Sequence, residues 1–364
     1  MSLSVDFIRG FSLRVTSYFL QIFFPVYLLY YIKAAGLVYW ALIIIFWVSA
    51  GTGVFLPYLV KERGFYLEIL FFVLSFLFSF MPKSYSVLIL IILASLVSAL
   101  TGTYAYYSFA RESYRGVLSY MRGHGAGLLL SATIAFLLFY FASFKIESFA
   151  GFLLMALALI LMITTIRKGV EKHDVGSLSF SRLVEKALNG VKSYYAVIGN
   201  AMSWISFTTY IYYYLYVCAS AGYDVALLLI FISSFAVFLT RMLMKENYSG
   251  RSSKTIFFVL YAVSFLIIVM SAAIKYVYVD FVSALLIGIS QGALSADLLF
   301  ESISFSTNGS YDGYIVYNAY IGAGELLSNI FFGLMVTLSL VKLFYLLPFA
   351  VAIIIIFLNV KHSA

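Results

Sequence analysis

Ser113-Tyr114-x-Gly116-x-x-x-Tyr120-x-x-x-x-Gly125-Ala126-Gly127 recurs as Ser310-Tyr311-x-Gly313-x-x-x-Tyr317-x-x-x-x-Gly322-Ala323-Gly324, with seven identities at a constant offset of 197 and no gap. A shorter echo, Leu59-x-Lys61-Glu62 against Leu243-x-Lys245-Glu246, lies at an offset of 184. Internal self-similarity at a fixed spacing is the mark of a duplicated architecture. What is duplicated follows from the polarity of the segments around these matches.

The 364 residues are 64% hydrophobic and 10% charged, with a mean hydropathy of +1.03. Soluble domains are about half apolar and about a quarter charged, so this composition belongs to an integral membrane protein. A crossing takes about 20 apolar residues. Twelve apolar segments satisfy this: 13–32, 37–60, 65–82, 85–109, 117–142, 147–166, 193–218, 223–244, 255–274, 278–303, 313–338 and 341–360. The shortness of 65–82 and 341–360 leaves ten or eleven crossings as the alternative. Unalternating runs such as Ile89-Leu90-Ile91-Ile92-Leu93 argue for helices over barrel strands. Arg14 interrupts the start of the first segment and no small-residue cleavage site follows, so no cleaved leader is expected.

With the N-terminus inside, 18 of the 23 Lys and Arg residues fall in cytoplasmic segments, as the positive-inside rule requires. In that count Arg9, Arg14 and Arg241 belong to the inner side. The net charge of +8 is thus topological and implies no nucleic-acid partner. Tyrosines near segment ends, among them Tyr30, Tyr31, Tyr39, Tyr276 and Tyr278, read as interfacial anchors against membrane lipids. One cysteine, Cys218, excludes a disulfide scaffold and a cysteine-built metal site. The polar stretch from Arg167 to Asn189 divides the crossings into two sets of six. Within it, Phe180, Leu183, Val184, Ala187 and Leu188 share one face of a short amphipathic helix. The expectation is an all-α membrane protein with both termini cytoplasmic. Two pseudo-symmetric six-helix bundles, 1–168 and 192–364, are joined by a connector at 169–191. The first repeat then opens segments five and eleven, and the second closes segments two and eight.

Parallel six-helix repeats of this kind are found in major facilitator transporters, and the chain resembles a short member of that superfamily over nearly its whole length. The superfamily's loop signature between its second and third helices is matched at Lys61-Glu62-Arg63-Gly64 only by the glycine and a charged cluster. The antiporter motif of its fifth helix is matched at Gly123-His124-Gly125-Ala126-Gly127 by glycines without the proline. The resemblance implies a central cavity lined by the first, fourth, seventh and tenth helices, with the third, sixth, ninth and twelfth outside. Polarity follows the same period of three. Segments three, six, nine and twelve are nearly pure hydrocarbon, while the others carry polar residues at helical spacing.

Intramembrane charge is costly and therefore functional or paired. Glu325 lies about 18 Å into its segment at the helical rise, sharing a face with Asn318, Gly322 and Asn329. It is the first candidate for proton or ion coupling, followed by Asp297 and His124. Gln21, Arg14, Tyr104, Asn200, Trp204, Gln291, Asn318 and Asn329 are candidate cavity residues. For Arg14, a guanidinium snorkelling to the cytoplasmic face is the favoured reading. Asp297 and Glu301, one turn apart, face a choice between ion binding and an inner gate with Arg111, Arg115 or Arg122. His124 reads as a packing histidine or a proton relay. The glycine sets Gly123, Gly125, Gly127 and Gly322, Gly324 read as close helix contacts. No metal site and no cofactor are expected, and the sequence holds no phosphate-binding G-x-x-x-x-G-K-[ST] loop. The leading function is a secondary transporter, not an enzyme, moving a small solute by alternating access in the cytoplasmic membrane. The alternatives are a non-transporting subunit with a membrane-complex partner and an enzyme acting on a lipid-linked substrate.

Overall fold

The computed structural model describes residues 4–16, 22–34, 36–53, 56, 64–78, 80–109, 114–141, 144–166, 185, 214, 221–245, 251–274, 276–304, 310–344 and 346–361. For Tyr104, Glu301 and Asn318 it describes the main chain only. Eleven main helices follow: α1 Val5–Thr16, α2 Leu37–Gly53, α3 Gly64–Phe78, α4 Lys83–Phe109, α5 Tyr114–Phe141, α6 Phe144–Ile166, α7 Tyr223–Leu243, α8 Arg251–Ile274, α9 Asp280–Ser304, α10 Ser310–Thr337 and α11 Leu346–Lys361. No strand occurs among the described residues. Apart from segment seven, every segment picked out by its apolarity overlaps helix among the described residues. Segment seven and the connector lie outside the described residues except for Tyr214 and Glu185.

Among the described residues five stretches are long and apolar enough to cross a membrane: Lys83–Leu100, Tyr114–Phe139, Tyr223–Leu243, Lys254–Ile274 and Val277–Phe300. Five shorter apolar helices, Leu37–Gly53, Ile69–Phe78, Phe149–Thr165, Ile321–Thr337 and Leu346–Phe357, accompany them. The all-hydrocarbon helices turn large side chains outward. Ile69, Leu70 and Val73 of α3, Leu153 and Ile160 of α6, Ile256 and Met270 of α8, and Ile354 and Phe357 of α11 are all exposed. That is the burial expected where the solvent is lipid and no hydrophobic force drives these faces inward.

The first segment departs from its expected form. Helix begins at Val5, eight residues before the apolar run, and Arg9 and Arg14 are buried within α1. Arg9 approaches Asp6 one turn earlier, at 3.9 Å. After the undescribed residues 17–21 the chain resumes as a short helical turn, Phe24–Val26, and passes into a π-helical stretch at Tyr27–Tyr31.

Helices α1 to α6 pack on one another through α1/α5, α1/α6, α2/α4, α3/α4 and α3/α6. Helices α7 to α11 do so through α7/α9, α8/α9, α8/α11 and α9/α10. Two seams join these sets, α5/α7 and α2/α10, with smaller contacts between α5 and α9 and between α4 and α10. Because α1 runs alongside α5 in the same direction, with Phe7 against Gly123 and Phe11 against Gly127, both start at one face of the bundle. We call this face proximal and the opposite one distal. The α1/α5 crossing is closest at glycines. A Cβ on Gly123 would collide with the Phe7 carbonyl, one on Gly10 with the Tyr120 carbonyl, and one on Gly127 would lie 2.6 Å from the Phe11 carbonyl oxygen. Small residues at i and i+4 let helix backbones meet where apolar solvent supplies no other drive.

Candidate functional site

A buried polar chain starts at Arg14 on α1. The residue is 4% exposed, and Glu325 on α10 is buried and His124 on α5 half-buried in the same bundle. The expected snorkelling is therefore replaced by burial. The α1/α5 crossing at Gly127, where a Cβ would lie 2.9 Å from the Arg14 Cβ, draws the residue into the bundle. His124 accepts a hydrogen bond at Nδ1 from Arg241 on α7, at 2.9 Å. A guanidinium has no acceptor, so this bond makes the ring the neutral tautomer protonated at Nε2. His124 is thus held by a hydrogen bond across the α5/α7 seam.

Arg241 is the residue that sequence reasoning missed. Two residues from the end of α7 it read as a cytoplasmic charge, yet it is 2% exposed. Its guanidinium donates to the Met121 carbonyl at 3.3 Å, to His124, and to Ser295 Oγ of α9 at 2.7 Å. Five donors in a planar fork suit an arginine to three acceptors on two helices. Arg122 on α5 reaches the opposite way. Its Nε donates to the Arg241 carbonyl at 3.1 Å and its terminal nitrogen to the Met244 carbonyl at 2.6 Å. These are among the last carbonyls of α7, which have no helical partner of their own. The arginines therefore cross the α5/α7 seam in both directions. No sequence signal marks such an exchange, because each looks like a basic residue at a helix end.

Asp297 on α9 is buried, and the Tyr114 hydroxyl of α5 donates to its Oδ1 at 2.9 Å. This tyrosine belongs to the duplicated motif. Arg122 is engaged with main-chain carbonyls, Arg115 is exposed, and Arg111 lies outside the described residues. Gln21, Asn200 and Trp204 lie outside them too.

Glu325 and Asn329 are both buried, one turn apart on α10, and Asn329 Nδ2 donates to the Glu325 main-chain carbonyl at 2.8 Å. Asn329 Oδ1, Gln291 Oε1 and Ser328 Oγ are buried without a hydrogen-bond partner among the described residues. Buried acceptors of this kind are rare and call for a partner. Among the described residues no group of three His, Cys, Asp or Glu side chains could hold a metal ion.

No protein-family model matches the chain, and no curated protein matches it. Solved structures do. A bacterial homologue of the iron transporter ferroportin, in its outward-facing state, is similar over 100% of both chains with a TM-score of 0.65 and 13% identity. The same protein with soaked iron gives a TM-score of 0.67 at 13% identity, again over 100% of both chains. The major facilitator proton:xylose symporter XylE, bound to 6-bromo-6-deoxy-D-glucose, is similar over 98% of this chain and 94% of its own, with a TM-score of 0.68 and 13% identity. The fold is therefore that of the major facilitator superfamily, a multi-pass membrane architecture.

Proposed function

We propose that the protein is a secondary transporter of the cytoplasmic membrane that moves a small solute by alternating access. Two six-helix halves, 1–168 and 192–364, rock about a site between them, joined by the connector 169–191. Twelve crossings put both termini, and the proximal face, in the cytoplasm. The observation that carries this reading is the set of polar and charged side chains buried within a transporter-like fold: Glu325, Arg14, Asp297 with Tyr114, and Arg241 bonded to His124. Charge at such depth is retained for function or pairing. The similar structures are an iron transporter's homologue in one case and a sugar symporter in the other, so the fold leaves the solute open.

Glu325 is the coupling carboxyl in this proposal. Asp297 and His124 assist it, and Gln291 and Asn329 supply hydrogen-bond acceptors to the solute. The test starts from purified protein in a thermal-shift screen of metabolites. Compounds that stabilise the wild type but not Gln291→Ala then go into proteoliposomes as labelled solutes. Glu325→Gln should abolish accumulation driven by a pH gradient while solute exchange persists. Undiminished gradient-driven accumulation in that variant would reject coupling through Glu325. Absence of flux for every stabilising compound would reject the transporter reading.

A further inference from the structure

We infer that Asp297 is a proton-binding carboxyl at the proximal end of the bundle, and that Tyr114 is its positioning residue, bonding it in both protonation states. The inference rests on the ion-coupled transporter reading and adds a shallow station to the deep one at Glu325.

The two carboxyls differ in depth. Helix α9 runs toward the proximal face, since its Gly288 meets Ser233 of α7 and its Ser295 meets Arg241 further along that helix. Asp297 lies seven residues before the end of α9 at Ser304, or about 10 Å at the helical rise. Helix α10 begins at the same face, and Glu325 lies fifteen residues beyond its first residue, Ser310. That is about 22 Å by the same rise.

Tyr114 is the first residue of α5 and reaches inward from the proximal end to donate its hydroxyl to Oδ1 at 2.9 Å. Its ring stands edge-on to Phe300 of α9, with centroids 5.1 Å apart. Both rings pack on the buried cluster that holds Val117, Leu118, Leu294 and Leu298. Tyr114 and Phe300 are half-buried, whereas Asp297 is 2% exposed. An aromatic pair therefore flanks the carboxyl toward the proximal face.

The partner's chemistry decides what the carboxyl can do. Asp6 stands against Arg9 at 3.9 Å. A guanidinium donates and never accepts, so it favours the carboxylate alone. A tyrosine hydroxyl both donates and accepts. It donates to the Asp297 carboxylate. Once a proton from water joins Oδ1, the new O–H donates to the tyrosine oxygen, and no other covalent bond forms or breaks. Asp297 keeps a hydrogen bond in either state, which a carboxyl that loads and unloads a proton among leucines requires. The other charged groups at this end are Glu301 on α9, Arg115 and Arg122 on α5, Arg241 and Lys245 at the end of α7, Lys254 on α8 and Asp312 on α10. Of these, Arg122 and Arg241 are engaged with carbonyl, imidazole and serine acceptors.

The test uses purified full-length protein in liposomes and infrared difference spectroscopy of the carboxyl C=O stretch, which needs no solute. In a Glu325→Gln background, a protonated-carboxyl band should fade reversibly as pH rises and be missing once Asp297→Asn is added. Asp297→Glu is the second variant should Asp297→Asn fail to fold. With isotope-labelled aspartate throughout the protein, that change should strip the titrating band of its isotope shift. Tyr114→Phe should move the midpoint by about half a pH unit, the size set by an interhelical hydrogen bond of average strength. Lys254→Met should move it by less. An unmoved midpoint in Tyr114→Phe would overturn the positioning role. An Asp297 signal that stays constant over the whole pH range in which the protein is folded would overturn the proton site. A titrating Asp297 band in protein that carries no solute in proteoliposomes would uphold the proton site and reject the transporter reading.

Discussion

Arg241 buries a guanidinium where three acceptors from two neighbouring helices converge on it. Truncating it leaves His124 Nδ1 and Ser295 Oγ without their donor in a dry interior, which costs about 1–3 kcal/mol for each set of charge-assisted bonds lost. Arg241→Ala should accordingly lower the detergent-solubilised melting temperature by several degrees. Arg241→Lys should recover less than half of the loss, because one ammonium cannot span acceptors arranged for a fork. Thermal unfolding followed by tryptophan fluorescence checks both. Tyr114→Phe should be milder, about 1 kcal/mol or less, as is typical of interhelical hydrogen bonds in membrane bundles. Depth marked Glu325 in the sequence and the i, i+4 acidic pair marked Asp297, since a carboxylate in an apolar segment stands out. Arg241 and Tyr114 were illegible as site residues for the opposite reason. Basic and tyrosine residues near segment ends are what topology and interfaces already demand, and only tertiary contact separates the exceptions.

At the scale of helices, the glycines of the repeat read alike in sequence and behave differently in the bundle. Gly123 and Gly127 face the α1 backbone, Gly125 faces α7, and Gly322 faces space free of described atoms within 4 Å. Substitution should therefore split them. Gly123→Leu forces two backbones apart, and it should abolish stable folding or cut the yield of monodisperse protein severely. Gly322→Ala should be neutral or stabilising by about 0.5–1 kcal/mol, since it removes the helical penalty of glycine without a clash. Size-exclusion profiles and melting curves of the two variants, prepared together, test the contrast. The sequence carried the duplication but not the asymmetry. A repeat fixes which positions correspond, whereas the spacing of the helices that meet there depends on the state in which the bundle rests.

At the scale of the whole molecule, apolarity alone located the helices, because a segment in lipid must satisfy its backbone internally. The period of three in polarity did not foretell which helices turn large apolar side chains outward, since α2, α7 and α10 expose them as well as α3, α6, α8 and α11. Helix α1 escaped that logic at its start. Its early turns carry Asp6, Arg9 and Arg14 and so look like a solvated leader until the paired charges are seen inside the bundle. The crossing count hinges on residues 193–218, which separate α6 from α7. If that segment crosses, four crossings lie between the exposed Arg115 and the exposed Lys245, and both face the cytoplasm. If it does not, the two residues face opposite sides. Single cysteines at these positions, in a Cys218→Ser background, should react with a membrane-impermeant maleimide in inside-out vesicles and resist it in intact cells. A split result, one residue labelled from each side, would remove the seventh crossing. With it would go the parallel orientation of the repeats on which the correspondence of α5 with α10 depends.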